Sequence, residues 1–216
     1  MDQAEQLRNI IKANGSNSKR PVARVITVTS GKGGVGKSNT AINLAIWMRK
    51  MGQRVIILDA DFGLANIEIM FGTVPKHNLC DLIYQGKSIT EIITWGPMEV
   101  GFISGGSGIA GMSNLSRDYL TYIIQNLAQL DAIADVIIID TGAGIADSVL
   151  EFVAASSEVV VVATPEPTSI TDAYALLKTL NRKSDFSVDG TKISMLANRI
   201  SNPEEGAELY EKLRVV

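Results

Sequence analysis

A single cysteine, Cys80, stands among 216 residues, so no internal disulfide can form, and this usage fits a reducing cytosol. Histidine is equally scarce: His77 has no second imidazole with which to build a ligand set or a catalytic pair. No apolar targeting core opens the chain, and no apolar run approaches the ~18 residues of a membrane-spanning helix. Positive charge is short as well. Twenty Lys and Arg face 23 Asp and Glu, a net charge of −3, so the surface as a whole is not built to coat nucleic acid. The deficit is uneven: residues 1–21 hold four basic and two acidic residues, leaving 16 against 21, or −5, for the remainder. These absences leave a cytoplasmic chain long enough for one α/β domain with a short appendage. At 46% hydrophobic it has ample material for a core.

What the chain does have is glycine beside lysine. Residues 31–38 read Gly-Lys-Gly-Gly-Val-Gly-Lys-Ser. This satisfies the phosphate-loop pattern G-x-x-x-x-G-K-[ST], in which backbone N–H groups wrap a phosphate pair. The flanks agree. Arg24–Thr29 is a β-branched run of strand length, and Ala41, Leu44, Ala45, Met48 and Met51 recur at helical spacing until Gly52. The N-terminus of that helix adds partial positive charge and free N–H groups to the anion site. One lysine, Lys37, suffices for the phosphates. Lys32, directly after the first glycine, puts a second full charge beside the same site and needs a separate reason.

Residues 2–13 form a short amphipathic helix candidate with Ala4, Leu7, Ile10 and Ile11 on one face and Asp2 able to cap it. Twelve residues are marginal alone in water, so this helix is expected to be a tethered element that folds against a partner. Residues 14–21 read as a polar linker. From residue 22 onward, apolar strands at 24–29, 54–58, 100–103, 135–139, 158–163 and 192–197 alternate with helical patterns near 39–51, 116–130, 147–156 and 169–182. Strands apolar throughout belong to a parallel sheet covered on both faces. The expectation is a doubly wound α/β fold over residues 22–216, with ligands at the carboxyl ends of the strands. The Gly-rich stretch 105–111 lacks a lysine and reads as a loop, not a second phosphate site.

Two strands end in carboxylates where such a fold holds its ligand. One gives Asp59-Ala-Asp61-Phe-Gly-Leu-Ala-Asn66, the other Asp140-Thr-Gly-Ala-Gly144. A phosphate-loop enzyme needs Mg²⁺ held by the loop hydroxyl and a carboxylate, roles that Ser38 and Asp140 fill, with Asp59 in the outer shell. Asp61 is placed to orient an attacking water. Gly142 and Gly144 give the backbone freedom to switch between two states. Asn198-Arg199 follows another strand and offers an amide for a nucleobase edge. Cys80, Trp47, Met48 and Met51 read as packing residues.

In this order, these motifs, together with Thr164-Pro-Glu-Pro-Thr-Ser169, resemble the MinD/ParA family of deviant Walker-A ATPases, a SIMIBI-like class of P-loop NTPase. The similarity covers residues 22 to about 203 and is greatest to the FlhG branch, which regulates flagellum number and placement. The resemblance implies ATP/ADP and Mg²⁺ as ligands, and Gly31, Lys32, Gly33, Gly34, Val35, Gly36, Lys37, Ser38 and Asn39 as the nucleotide loop. Lys37 would cradle the β- and γ-phosphates, and Asn198 with Arg199 would meet the adenine. It implies a homodimer formed on ATP binding, in which Lys32 reaches the partner subunit's phosphates. A leading helix of that branch engages the signal-recognition-type GTPase FlhF, and Gln3 is the implied activating residue. Family members continue into an amphipathic C-terminal helix that binds the inner membrane reversibly. This chain stops at Val216, so membrane association is expected of a longer parent. Specific nucleic-acid binding is not expected. Three alternatives stay open or close on the residues. A ParA-like partition ATPase would bind DNA, a nucleotide-gated scaffold would hydrolyse little, and a cluster-bridging reductase would need two cysteines.

Overall fold

Seven strands form one sheet in the order β3-β4-β2-β5-β1-β6-β7. They are β1 Arg24–Ser30, β2 Val55–Ala60, β3 Thr94–Trp95, β4 Gly101–Ile103, β5 Val136–Ala143, β6 Glu158–Ala163 and β7 Lys192–Ala197. All neighbours pair in parallel except β3 with β4. The helices are α1 Lys37–Lys50, α2 Asn66–Phe71, α3 Leu79–Gln85, α4 Arg117–Leu127, α5 Asp147–Ala155, α6 Pro167–Arg182 and α7 Pro203–Leu213. This computed structural model describes residues 22–62, 66–106, 115–183, 186 and 190–216. The expected leading helix with Gln3, the linker and most of the 105–111 stretch lie outside the described residues.

Side chains alternate across each strand with period two, and the two faces meet different helices. Ile56, Leu58, Ile137 and Ile139 pack under α3, α4 and α5, whereas Val55, Ile57, Val136 and Ile138 pack under α1 and α2. On the first of these faces α6 covers Val159 and Val161, and α7 adds Leu209 and Leu213 beside Ala163. Burial of both faces explains why β2 is apolar at every position but Asp59. Phe71 meets Phe102 edge-on at 5.5 Å, pinning α2 to β4.

The long elements fall where hydrophobic period places them. The departures are short elements or ends. β3 has two residues and is antiparallel, too brief to carry a pattern. α2 and α3 span six and seven residues, and α3 is fixed mainly by a capping box between Asn78 and Asp81 rather than by an apolar stripe. α7 is charge-rich and buries only Leu209 and Leu213. α1 begins at Lys37, two residues early, because the last two loop residues are already helical. Three packing expectations need correction. Cys80 is only partly buried, and Trp47 and Met51 are exposed, because they lie on a flank of α1 that no described helix covers.

Candidate phosphate-loop site

β1 ends in the buried hydroxyls Thr29 and Ser30, and the chain turns into the loop against the first turns of α6. A Cβ on Gly31 would come within 2.1 Å of the Asp172 backbone, so only glycine fits this approach. Gly34 and Gly36 take φ of 76° and 103°, the left-handed region that side chains disfavour. Gly36 caps α1 without any side-chain hydrogen bond, leaving the first-turn N–H groups free for an anion. The loop's outward carbonyls are held from the far strand. Asn198 Nδ2 donates to the Val35 carbonyl at 2.8 Å, and an Arg199 Nη donates to that of Gly34 at 2.7 Å. Arg199 itself sits at φ 58°, a strained setting for a non-glycine residue.

Beside Gly36 and Asn198 opens a cavity of about 450 Å³ that also reaches Asn39, Thr40, Asn43 and Leu44 of α1. Asn198 therefore serves two surfaces, bracing the loop and lining this space. Thr40 and Asn43 escaped the sequence reading; their signal was polar residues one turn beyond the loop on a single flank of α1.

Three carboxylates converge at the strand ends. The register of β2 on β5 sets Asp59 level with Asp140, both fully buried. Asp59 is raised to about 7, chiefly by burial and also by the Asp140 charge, against the pull of the backbone N–H groups of Ile67 and Asp61. Those N–H groups, at 3.1 and 3.2 Å, each occupy one Asp59 oxygen, so this residue ties α2 and the β2 turn together. Asp140 differs. Burial raises it to about 6 against the pull of Ser38 and the Lys37 ammonium, yet neither oxygen makes a hydrogen bond of normal geometry. A buried carboxylate left without partners is the group a cation would complete. Among the described residues no three His, Cys, Asp or Glu side chains gather to hold a metal alone. A divalent ion here would draw on Asp140, the Ser38 hydroxyl, water and phosphate oxygens, which is the donor set Mg²⁺ favours. Asp61 is half-buried, its carboxylate 3.6 Å from where a Cβ on Gly142 would sit. Gly144, at φ 92°, donates its N–H to the Ser30 carbonyl at 2.9 Å, joining the end of β5 to the loop.

Lys32 leaves its own loop. Its ammonium donates to Glu166 and to the Thr168 hydroxyl, each at 2.7 Å, at the start of α6. Glu166 also lies 3.8 Å from Arg199, and the Lys32 contact holds its carboxyl below the usual range. Glu166 and Thr168 had no role in the sequence reading, although they sit in the Thr-Pro-Glu-Pro-Thr segment whose Pro167 opens the helix.

A mostly parallel sheet with a glycine loop between β1 and α1 and a buried carboxylate near the carboxyl end of β5 defines a phosphate-loop NTPase. A profile of the ParA family, described as NUBPL iron-transfer P-loop NTPases, matches residues 21–208. The antiactivator FleN of Pseudomonas aeruginosa is 44% identical over 199 residues, covering 92% of this chain and 69% of FleN. The flagellum site-determining protein YlxH of Helicobacter pylori is 35% identical over 216 residues, 98% of this chain and 71% of YlxH. The septum site-determining protein MinD from Pyrococcus horikoshii, complexed with Mg-ADP, superposes with a TM-score of 0.69 at 21% identity, covering 88% of this chain and 77% of that one. The chain belongs to the MinD/ParA family of P-loop ATPases, and its relatives FleN and YlxH are of the FlhG type.

Proposed function

We propose that this chain hydrolyses ATP as a nucleotide-gated homodimer, acts in flagellum number and placement, and stimulates an FlhF-type GTPase through residues 1–13 and Gln3. The observation that carries the reading is Lys32, a second loop cation engaged at the surface by Glu166 and Thr168. A surface pair of this kind is worth about 1 kcal/mol or less, so a nucleotide phosphate across a closed interface outcompetes it. A cation supplied in trans is worth about 10³–10⁵ in rate in related phosphoryl transfers. Lys37 then serves the β- and γ-phosphates of its own nucleotide, Asp61 orients the attacking water, and Gly142 and Gly144 carry the switch. Ser38 and Asp140 would hold Mg²⁺, with Asp59 behind them, and the ion would supply charge neutralisation for phosphoryl transfer. Asn198 and Arg199 couple the base cavity to the loop. The flagellar part of the proposal draws on the names FleN and YlxH and on the leading helix.

Sedimentation and hydrolysis with ATP and Mg²⁺ test it. Wild type should dimerise, whereas Lys32→Ala should stay monomeric and lose about 10³-fold in rate. If Lys32→Ala dimerises and hydrolyses like wild type, the trans-lysine account fails. The partner role is tested separately by adding a peptide of residues 1–20, wild type or Gln3→Ala, to the GTPase. An unchanged rate of GTP hydrolysis with the wild-type peptide sinks that part alone.

A further inference from the structure

We propose that Thr141 is the latch of a switch at the end of β5, holding the Gly142 carbonyl in the nucleotide-free chain and releasing it when a terminal phosphate enters the loop. The pairing of β5 with β1 carries the first observation. Val28 stands opposite Asp140 and Ser30 opposite Ala143, so Thr29 alone faces two residues, Thr141 and Gly142. This is a β-bulge immediately after Asp140, and a bulge takes its extra residue out of the ladder and re-aims the strand. On its other side β5 keeps step with β2 as far as Thr141, opposite Ala60. The irregularity is therefore confined to the side that leads into the phosphate loop. Beyond it the chain is fixed again, because Gly144 donates its N–H to the Ser30 carbonyl.

Inside the bulge one proton has three acceptors. Thr141 is buried, and its hydroxyl lies 2.8 Å from the Gly142 carbonyl, 3.0 Å from the Thr29 hydroxyl and 3.3 Å from the Val28 carbonyl. A threonine hydroxyl donates only once. The shortest contact, to Gly142, braces the bulged backbone. The two longer ones lie on β1 and remain when Gly142 turns away, so the change leaves no orphaned donor in the interior. Gly142 supplies an independent observation. Gly31 and Gly144 must be glycine as they stand, one for want of space and the other at φ 92°. Gly142 need not be. Its φ lies outside the left-handed region, and a Cβ there would meet the Asp61 carboxylate at 3.6 Å and Val149 of α5 at 4.0 Å, ordinary contacts. A glycine that the resting backbone does not require serves a second arrangement, one with positive φ or with a group brought close to its Cα. Gly142 lies beside Asp61, between the open carboxylate of Asp140 and the loop, where that group is a terminal phosphate. This last step rests on the ATPase reading above; the latch itself does not.

Thr141→Val removes the hydroxyl at nearly constant volume, and Thr141→Ser keeps it. Without nucleotide, Thr141→Val should speed amide exchange at Gly144 about fivefold relative to the amides of Ile137 and Ile138, as expected for the loss of one hydrogen bond. Because the bond to Gly142 is shorter than those to β1, its loss should also favour the triphosphate. The affinity for a non-hydrolysable ATP analogue relative to ADP, each with Mg²⁺, should rise about threefold. Thr141→Ser should restore both readings. Gly142→Ala should keep the nucleotide-free melting midpoint and the ADP affinity of wild type, yet bind the ATP analogue about tenfold more weakly, the cost of a Cβ at positive φ. Unchanged exchange at Gly144, an unchanged or lowered affinity ratio in Thr141→Val, or an equal loss of both nucleotides in Gly142→Ala overturns the proposal. So does early melting of Gly142→Ala, because the resting backbone then needs its glycine. If wild type binds neither nucleotide, the ATPase reading fails, and the exchange and melting measurements still decide the latch.

Discussion

Asp140→Asn should stabilise the nucleotide-free protein while abolishing its response to Mg²⁺ and nucleotide. Asp140 titrates near 6 in the folded chain against 3.8 for an exposed aspartate, chiefly because it is buried. A raised folded value means that the folded state binds the proton more tightly than the unfolded one. The ionised carboxylate therefore costs stability above pH 6, and that cost disappears as the pH falls towards 4. At about 1.36 kcal/mol per unit, two units amount to roughly 3 kcal/mol at pH 7.5. Asparagine removes the charge but leaves a buried amide without partners, at a cost of about 1–3 kcal/mol. The net gain should be about 1 kcal/mol, or roughly 2–4 °C in Tm for a chain of this size. The gain should vanish by pH 5. Loss of the Asp140 charge also removes one of the influences that raise Asp59 to about 7, which shifts the remaining pH dependence to lower pH. With Mg²⁺ and ATP at about 100 times Kd, wild type should gain about 2.7 kcal/mol, and the variant far less. Thermal melts from pH 5 to 8, with and without ligand, decide the matter. A variant less stable than wild type at pH 7.5 without nucleotide, or one with an undiminished ligand shift, refutes the reasoning.

Two further outcomes test the frame around the site. Gly31→Ala forces a Cβ onto the α6 backbone at Asp172, which cannot move as a flexible side-chain tip could. It should cost roughly 1–3 kcal/mol or more and abolish nucleotide binding, read by denaturant melts and a fluorescent ATP analogue. Asn78→Ala removes the side-chain half of the α3 capping box, where Asn78 Oδ1 accepts from the Cys80 N–H at 2.8 Å. It should cost about 1 kcal/mol while leaving nucleotide affinity unchanged, since α3 packs on the face of the sheet opposite α1.

Much of this architecture was legible because long-range packing and local pattern agree. Strands buried on both faces, such as 55–58 and 136–139, are apolar at every position, and the phosphate loop carries its signature in eight consecutive residues. The carboxylates were legible for a related reason: an Asp that ends an apolar strand sits at the ligand end of a parallel sheet. What distinguishes Asp59 from Asp140 was not legible. Both lie near the carboxyl ends of buried strands, and only the fold reveals that backbone N–H groups from the turn and α2 occupy Asp59 while Asp140 is left open. Asn198 and Arg199 were marked for a base, and their grip on the Gly34 and Val35 carbonyls depends on β7 arriving beside a loop 163 residues earlier.

Lys32 shows the limit most clearly. Sequence spacing establishes that two lysines stand five residues apart in one phosphate loop, but not which phosphates each one serves. Which way the extra charge turns is decided by Glu166 and Thr168, more than 130 residues away, at the start of α6. The same first turns of α6 press on Gly31, so the anchor of Lys32 and the entrance to its loop share one support. Any movement of α6 that frees Lys32 must therefore also disturb the backbone that begins the phosphate loop. A nucleotide-gated dimer of the kind proposed above would require loop occupancy and Lys32 to be coupled, and α6 is the element that meets both.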